Sequence, residues 1–159
     1  SITVASTTRA GARVGSNAGN DRMADYNTLL AVQAAVASIP NAQINKIVIY
    51  KSTRTDGVVP TECTTATTGV NSGGVQCNVY TASQLASLSS TQFGTTGATC
   101  STSSPDASWC PLGRQSQQAA GADYLGVWIS VNHPYVTRIF PGSGLTITDR
   151  AVMRLEPSV

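Results

Sequence analysis

Residues 123–133 read DYLGVWISVNH and residues 145–156 read LTITDRAVMRLE. In the first stretch Leu125, Val127, Ile129 and Val131 alternate with Tyr124, Gly126, Trp128 and Ser130. In the second, Leu145, Ile147, Ala151, Met153 and Leu155 alternate with Thr146, Thr148, Arg150, Arg154 and Glu156. A period of two over this length is the signature of a half-buried strand. Pro141, Gly142, Ser143 and Gly144 form a turn between the stretches, and residues 136–140 are expected to continue the first strand beyond Pro134. Two long strands joined by a short connection predict an antiparallel hairpin. Arg150, Arg154 and Glu156 share one face of the last strand, where cross-strand charge pairing is the expected arrangement.

Upstream, residues 43–51 are a strong strand, with Ile44, Ile47, Val48, Ile49 and Tyr50 nearly all β-formers. Residues 21–39 form the clearest helix. Tyr26, Leu29, Leu30, Ala34 and Ala37 follow the i, i+3, i+4 rule, and Val32, Val36 and Ile39 widen the apolar side. Asp21 or Asp25 is expected to cap it, and Pro40 with Asn41 to end it. A helix this apolar belongs against a sheet. Residues 1–15 carry a weaker helical pattern without an N-cap. Ile2, Ala5 and Ala12 are expected to face the sheet, with Arg9 and Arg13, four apart, on the opposite side. Gly15, Asn17, Gly19 and Asn20 are expected to break this helix. Arg9 and Arg13 suit a partner-binding stripe as well as they suit a solvated face. Helices followed by strands predict an α+β fold, with helices on one face of an antiparallel sheet.

The middle is different in kind. Between residues 61 and 108, 20 of 48 positions are Ser or Thr. Only residues 75–80 suggest a strand and residues 82–88 a short helix, so a loop-rich excursion is expected, with Asp56-Gly57 a turn before it. All four cysteines, Cys63, Cys77, Cys100 and Cys110, lie here among turn formers, and none has C-x-x-C spacing. Disulfides, hence an oxidising compartment, are favoured over buried thiols. Four cysteines allow three pairings. The sequential one, Cys63 with Cys77 and Cys100 with Cys110, closes the shortest loops, each worth about 3 kcal/mol on the chain-entropy model. Trp109 is expected to pack against the bridge beside it.

Composition narrows the function classes. Charged residues make up 11% of the 159, against about 25% in an ordinary soluble protein. Eighteen Ser and 20 Thr fill the deficit. Ten basic residues form no run, so no nucleic-acid footprint is expected. No run of 18 apolar residues is present. There is no G-x-S-x-G nucleophile elbow, and His133 is the only imidazole, placed at a strand end beside Pro134 where a structural role is expected. Asn20, Asp21, Asp25 and Asn27 lack the spacing of a calcium loop. No catalytic residue, cofactor, metal or small-molecule substrate is expected.

Taken in order, TTRAGAR (7–13), DRMADYNTLLAV (21–32), INKIVIYK (44–51), DGVVPTEC (56–63), CNVY (77–80), WCPLGR (109–114), DYLGVWISVNH (123–133) and TDRAVMRLEP (148–157) resemble a TadE-like protein of the actinobacterial type. The resemblance spans nearly the whole chain. TadE-like proteins are pseudopilin or minor-pilin components of the Tad (tight adherence, Flp) type IV pilus machinery, with an N-terminal hydrophobic anchor and an exported domain. The resemblance implies a pilin-like plan and a single extracytoplasmic domain over residues 1–159. Residues 1–20 would be the end of a truncated anchor helix and its linker, and residues 21–159 the globular core. It implies other pilus subunits or assembly proteins as partners, and a cytoplasmic membrane or cell surface reached through a segment not among these residues. It carries no catalytic residue to transfer. The competing class is a secreted or surface-anchored binding module or enzyme that shares only the architecture.

Overall fold

Strand β1 (Gln43–Lys51) lies at the centre of a five-stranded sheet, although it comes first in the chain. The computed structural model describes residues 2–54, 56–94, 99–134 and 144–157, the side chains of Ile2 and Thr3 excepted. The other strands are β2 (Val70–Ser72), β3 (Val75–Thr81), β4 (Tyr124–His133) and β5 (Leu145–Arg154). The order across the sheet is β2-β3-β1-β4-β5 and every neighbouring pair is antiparallel. The expected C-terminal hairpin is present, with Leu125 opposite Met153 and Val131 opposite Ile147. Residues 136–140, and all of the 141–144 turn but Gly144, lie outside the described residues.

Two helices cover one face of this sheet. Ile47, Ile49, Leu125, Val127, Ile129 and Val131 point into a shared core with Leu29, Val32 and Val36 of α2 (Ala24–Ala37) and Val4 and Ala12 of α1 (Ile2–Ala18). A register shift between Ile44 and Lys46 matters here. One extra residue in a strand reverses the alternation. It returns Ile44 to the helix side, where it packs on that core.

Helix α1 differs from expectation in length: it continues through Gly15 and Asn17 to Ala18. Its buried positions, Val4, Thr7, Thr8, Gly11, Ala12, Gly15 and Ser16, recur at three- and four-residue steps and are nearly all small. A Cβ on Gly11 would sit 2.5 Å from Val32 Cγ2, and one on Gly15 would sit 2.9 Å from Thr28 Oγ1 and 3.1 Å from Leu125. Gly15, expected to break the helix, is therefore with Gly11 what lets it lie close against α2 and β4, and the break comes at Gly19, at positive φ. Polar stitches finish the seat: the Thr8 hydroxyl bonds the Asp149 carboxylate, the Ser16 hydroxyl donates to the Arg154 carbonyl, and the Glu156 amide donates to the Ser16 carbonyl at 3.0 Å.

The opposite face is covered by the first part of the Ser/Thr-rich middle, whereas Leu85, Phe93 and Trp109 of its later part pack on the helix side. Val48, Tyr50, Cys77 and Val79 form a second core with Cys63, flanked by Val59, Ala66, Trp128 and Val152. The segment over it carries a short helix, α3 (Thr61–Thr65), which sequence alone does not suggest. Lys46 Nζ donates to the Thr64 and Ala66 carbonyls at 2.8 and 2.7 Å. Strands β2 and β3 form a hairpin turned by Gly73 and Gly74, both at positive φ, where glycine avoids the steric cost that other residues meet. The expected helix at 82–88 is α4 (Ala82–Ala86), begun by a capping box between Thr81 and Gln84.

Candidate functional site

Arg9 and Arg13 lie side by side on the outward face of α1, both exposed, while Ala12 is fully buried and Ala5 half-buried on the inner side. This is the orientation expected of them; Ile2, the third residue assigned inward, has a side chain outside the described set. Among the described residues neither arginine forms an ion pair. Two adjacent cations without a counter-charge among the described residues are available to steer an acidic partner, most cheaply in a contact whose rim leaves them hydrated.

The four cysteines form the two expected bridges. Cys63 joins Cys77 with Cα atoms 6.3 Å apart, and Cys100 joins Cys110 at 5.6 Å. The first pins α3 to β3. The second closes a loop that carries Ser104, Asp106 and Trp109 inward. Trp109, expected to pack on the bridge beside it, joins the main core, with the Arg114 guanidinium 4.0 Å above its ring.

Around that ring lies a buried polar cluster that the sequence reading missed. Asp25 does not cap α2. It is fully buried and faces Arg114, Oδ1 to Nη2 at 2.7 Å, with both side chains excluded from solvent. The start of α2 is tied instead by Asp21, whose Oδ1 accepts the Met23 amide at 2.7 Å. Asp25 Oδ2 accepts from Asn78 Nδ2 at 2.7 Å and from the Tyr80 hydroxyl at 2.8 Å. Asn78 also holds the Trp109 backbone at both ends, donating to its carbonyl at 2.9 Å and accepting from its amide at 2.8 Å. Arg114 Nη2 donates to the same carbonyl at 2.9 Å. Asp106 lies nearby, held by the Ser104 hydroxyl. Burial is the first cause that lifts the Asp106 carboxyl above its usual range, and the charge of Asp25 adds to it. Burial likewise lifts the Tyr80 phenol well above its ordinary value. The signal for this cluster was Asp25 itself, which shares the face of Leu29, Val32 and Val36. An acid in an apolar stripe calls for buried partners, hydrogen-bond donors or a cation. Nothing around Arg114 marks it as that cation.

A cleft of about 530 Å³ opens between residues 52–57 and β5, lined by Arg54, Asp56, Tyr124 and Arg150 among others. Its polar groups largely satisfy one another. Arg54 pairs with Asp56 at 2.8 Å and holds that carboxyl down to about 2. The Tyr50 hydroxyl, pushed up to about 12 mainly by burial, donates to the Gly57 carbonyl at 2.7 Å. Arg150 stands opposite Trp128, and Arg154 donates to the Gln118 carbonyl at 3.4 Å. Among the described residues the expected cross-strand charge pairing is not formed, because β4 sets uncharged Trp128 and Tyr124 opposite Arg150 and Arg154.

His133 ends β4 opposite Leu145 and is half-buried. Among the described residues no group of three or more His, Cys, Asp or Glu side chains is arranged to hold a metal ion. Of the four candidate calcium ligands, Asp21 caps the backbone and Asp25 turns into the core, so they do not converge. Among the described residues no helix is long and apolar enough to cross a membrane. No family model matches the chain, and no match to it is found among curated proteins or solved structures.

Proposed function

We propose that this chain is a structural subunit of a Tad-type (tight adherence) pilus, a TadE-like pseudopilin or minor pilin that acts through protein–protein contacts and not by catalysis. The observation that carries the reading is α1: a 17-residue helix seated on the sheet by a row of small residues, with Arg9 and Arg13 unpaired on its outer face. The helix-on-sheet plan fits a pilin-like architecture, and the two disulfides fit an oxidising, extracytoplasmic setting. In this reading α1 continues an anchoring helix at the cytoplasmic membrane or cell surface, and its arginines face the outer headgroups or a neighbouring subunit. The test is Arg9→Glu with Arg13→Glu in a pilus-producing cell that carries the whole gene. Assembly should fall while the protein still accumulates folded. Normal pili in that variant remove the partner face, and normal pili after deletion of the gene remove the assignment.

A further inference from the structure

We infer that the Cys100–Cys110 bridge is an oxidation-dependent latch for α2, and through α2 for the outward face of α1. The argument starts from Asp25. Its carboxylate is fully buried on the core side of α2, and the only cation it pairs with among the described residues is Arg114. An ionised carboxylate in such a place is tolerable only when paired and hydrogen-bonded. Arg114 is four residues beyond Cys110 and is held by what the bridged loop brings with it, the Trp109 ring and the Trp109 carbonyl.

Beyond the two bonds from Asn78 to the Trp109 backbone, that loop has little else to order it. Of residues 99–110, Trp109 is the one large hydrophobic side chain buried in the core. The remainder is mostly Ser and Thr, held by hydrogen bonds such as Ser104 to the Gln92 carbonyl, and each such bond has a small net value. Ordering so many residues is entropically expensive, and closing the loop covalently removes much of that cost from the unfolded side. Without the bridge the loop is released. Trp109 and Arg114 leave with it, and Asp25 keeps only its neutral donors Asn78 and Tyr80, without a counter-charge. Helix α1 crosses α2 at Gly11 and Gly15, so its seat is lost too.

The other bridge has no such link. Cys63–Cys77 lies on the opposite face of the sheet, where Lys46 fastens the same segment independently. Closing the latch converts the Cys100 and Cys110 thiols to one S–S bond. The two electrons and two protons pass to an incoming disulfide, that of a thiol–disulfide oxidoreductase, which leaves as a dithiol. The helix face is thereby displayed only after the chain meets an oxidising compartment. The consequence for assembly rests on the pilus reading; the latch does not.

Amide hydrogen exchange of this chain, read separately for α2 and for β1 and β4, tests it. Cys100→Ser with Cys110→Ser should speed α2 exchange by about 100-fold, the scale of one lost loop closure, with a much smaller change in β1 and β4. Cys63→Ser with Cys77→Ser should leave α2 no worse than β1. Asp25→Asn should cost α2 protection in the bridged protein but little in the variant lacking Cys100 and Cys110, because there the loop has already gone. Retained α2 protection without the bridge, or an equal Asp25→Asn effect in both backgrounds, overturns the latch. If the serine pair does not fold, Arg114→Met with both bridges intact decides: it should release α2, and full α2 protection overturns the proposal. Pilus assembly enters none of these readouts, so a working latch in a protein that builds no pilus would leave only the pilus reading refuted.

Discussion

Replacing Gly11 by Ala sets two known effects against each other. Alanine is favoured over glycine inside a helix by about 0.8–1.0 kcal/mol, so on an exposed face the change would stabilise. Here the new Cβ would lie 2.5 Å from Val32 Cγ2, more than 1 Å inside the ordinary carbon–carbon contact of about 3.5–4.0 Å. Val32 cannot yield easily. It is fully buried, and a β-branched side chain in a helix has essentially one χ1 rotamer. Relief must come from α1 moving off α2, which loosens the Gly15 crossing and pulls Thr8 from Asp149. Overpacking of this kind costs about 1–3 kcal/mol, and the strained hydrogen bond about 1 more. Less the propensity gain, Gly11→Ala should destabilise by about 1–3 kcal/mol. Urea denaturation monitored by circular dichroism measures this. Ala10→Gly, on the exposed side of the same helix, serves as the propensity control at a loss of about 1 kcal/mol. The pair Gly11→Ala with Val32→Ala should cost less than the sum of the singles, because the clash is gone. A Gly11→Ala protein more stable than the parent by about 1 kcal/mol would refute the close crossing.

Tyr80→Phe removes the hydroxyl that donates to buried Asp25 and should cost about 1.5–3 kcal/mol, the range for a bond to a charged group, in the same denaturation assay. Asp106 should titrate above its unfolded value of 3.8. Its folded state then holds the proton more tightly, so its destabilising contribution is absent below 3.8, grows as pH rises towards the folded pKa, and is complete above it. Ser104→Ala removes the bond that pulls this pKa down and should raise it further in a carboxyl-carbon NMR titration; an unchanged or lower value contradicts the arrangement. Non-reducing peptide mapping should return Cys63 with Cys77 and Cys100 with Cys110, and four free thiols would remove both the bridges and the exported location.

The elements with a strong hydrophobic period were legible in the sequence. Helix α2 and strands β1, β4 and β5 emerged within a few residues of their bounds, because each gives an apolar face to the helix-side core, and β1 feeds the second core as well. The sequential pairing of cysteines was legible from loop length. The outward placement of Arg9 and Arg13 was legible from their four-residue spacing. What was lost depended on neighbours distant in sequence. Gly15 reads locally as a helix breaker, yet Thr28 and Leu125 hold it in a helix by packing against it. Asp25 reads as a cap because its partner is 89 positions away, at a residue with no local sign of burial. Helix α3 and strand β2 are too short for a period to show, and the β1 irregularity is set by pairing with β4.

The central position of β1 has a consequence for how the molecule is made. Both of its neighbours follow it in the chain: β3 begins at Val75, and β4 only at Tyr124. As the chain grows, a strand whose residues Ile47, Val48, Ile49 and Tyr50 are all to be buried waits with both hydrogen-bonding edges open. The β2–β3 hairpin can zip locally at Gly73-Gly74 and dock first. The helix-side core, which needs Leu125, Val127 and Ile129, closes last. Contacts of such high sequence separation put folding in the millisecond-to-second class, not the microsecond class of helical bundles. For that interval both open edges of β1 are templates on which other copies of the chain could pair.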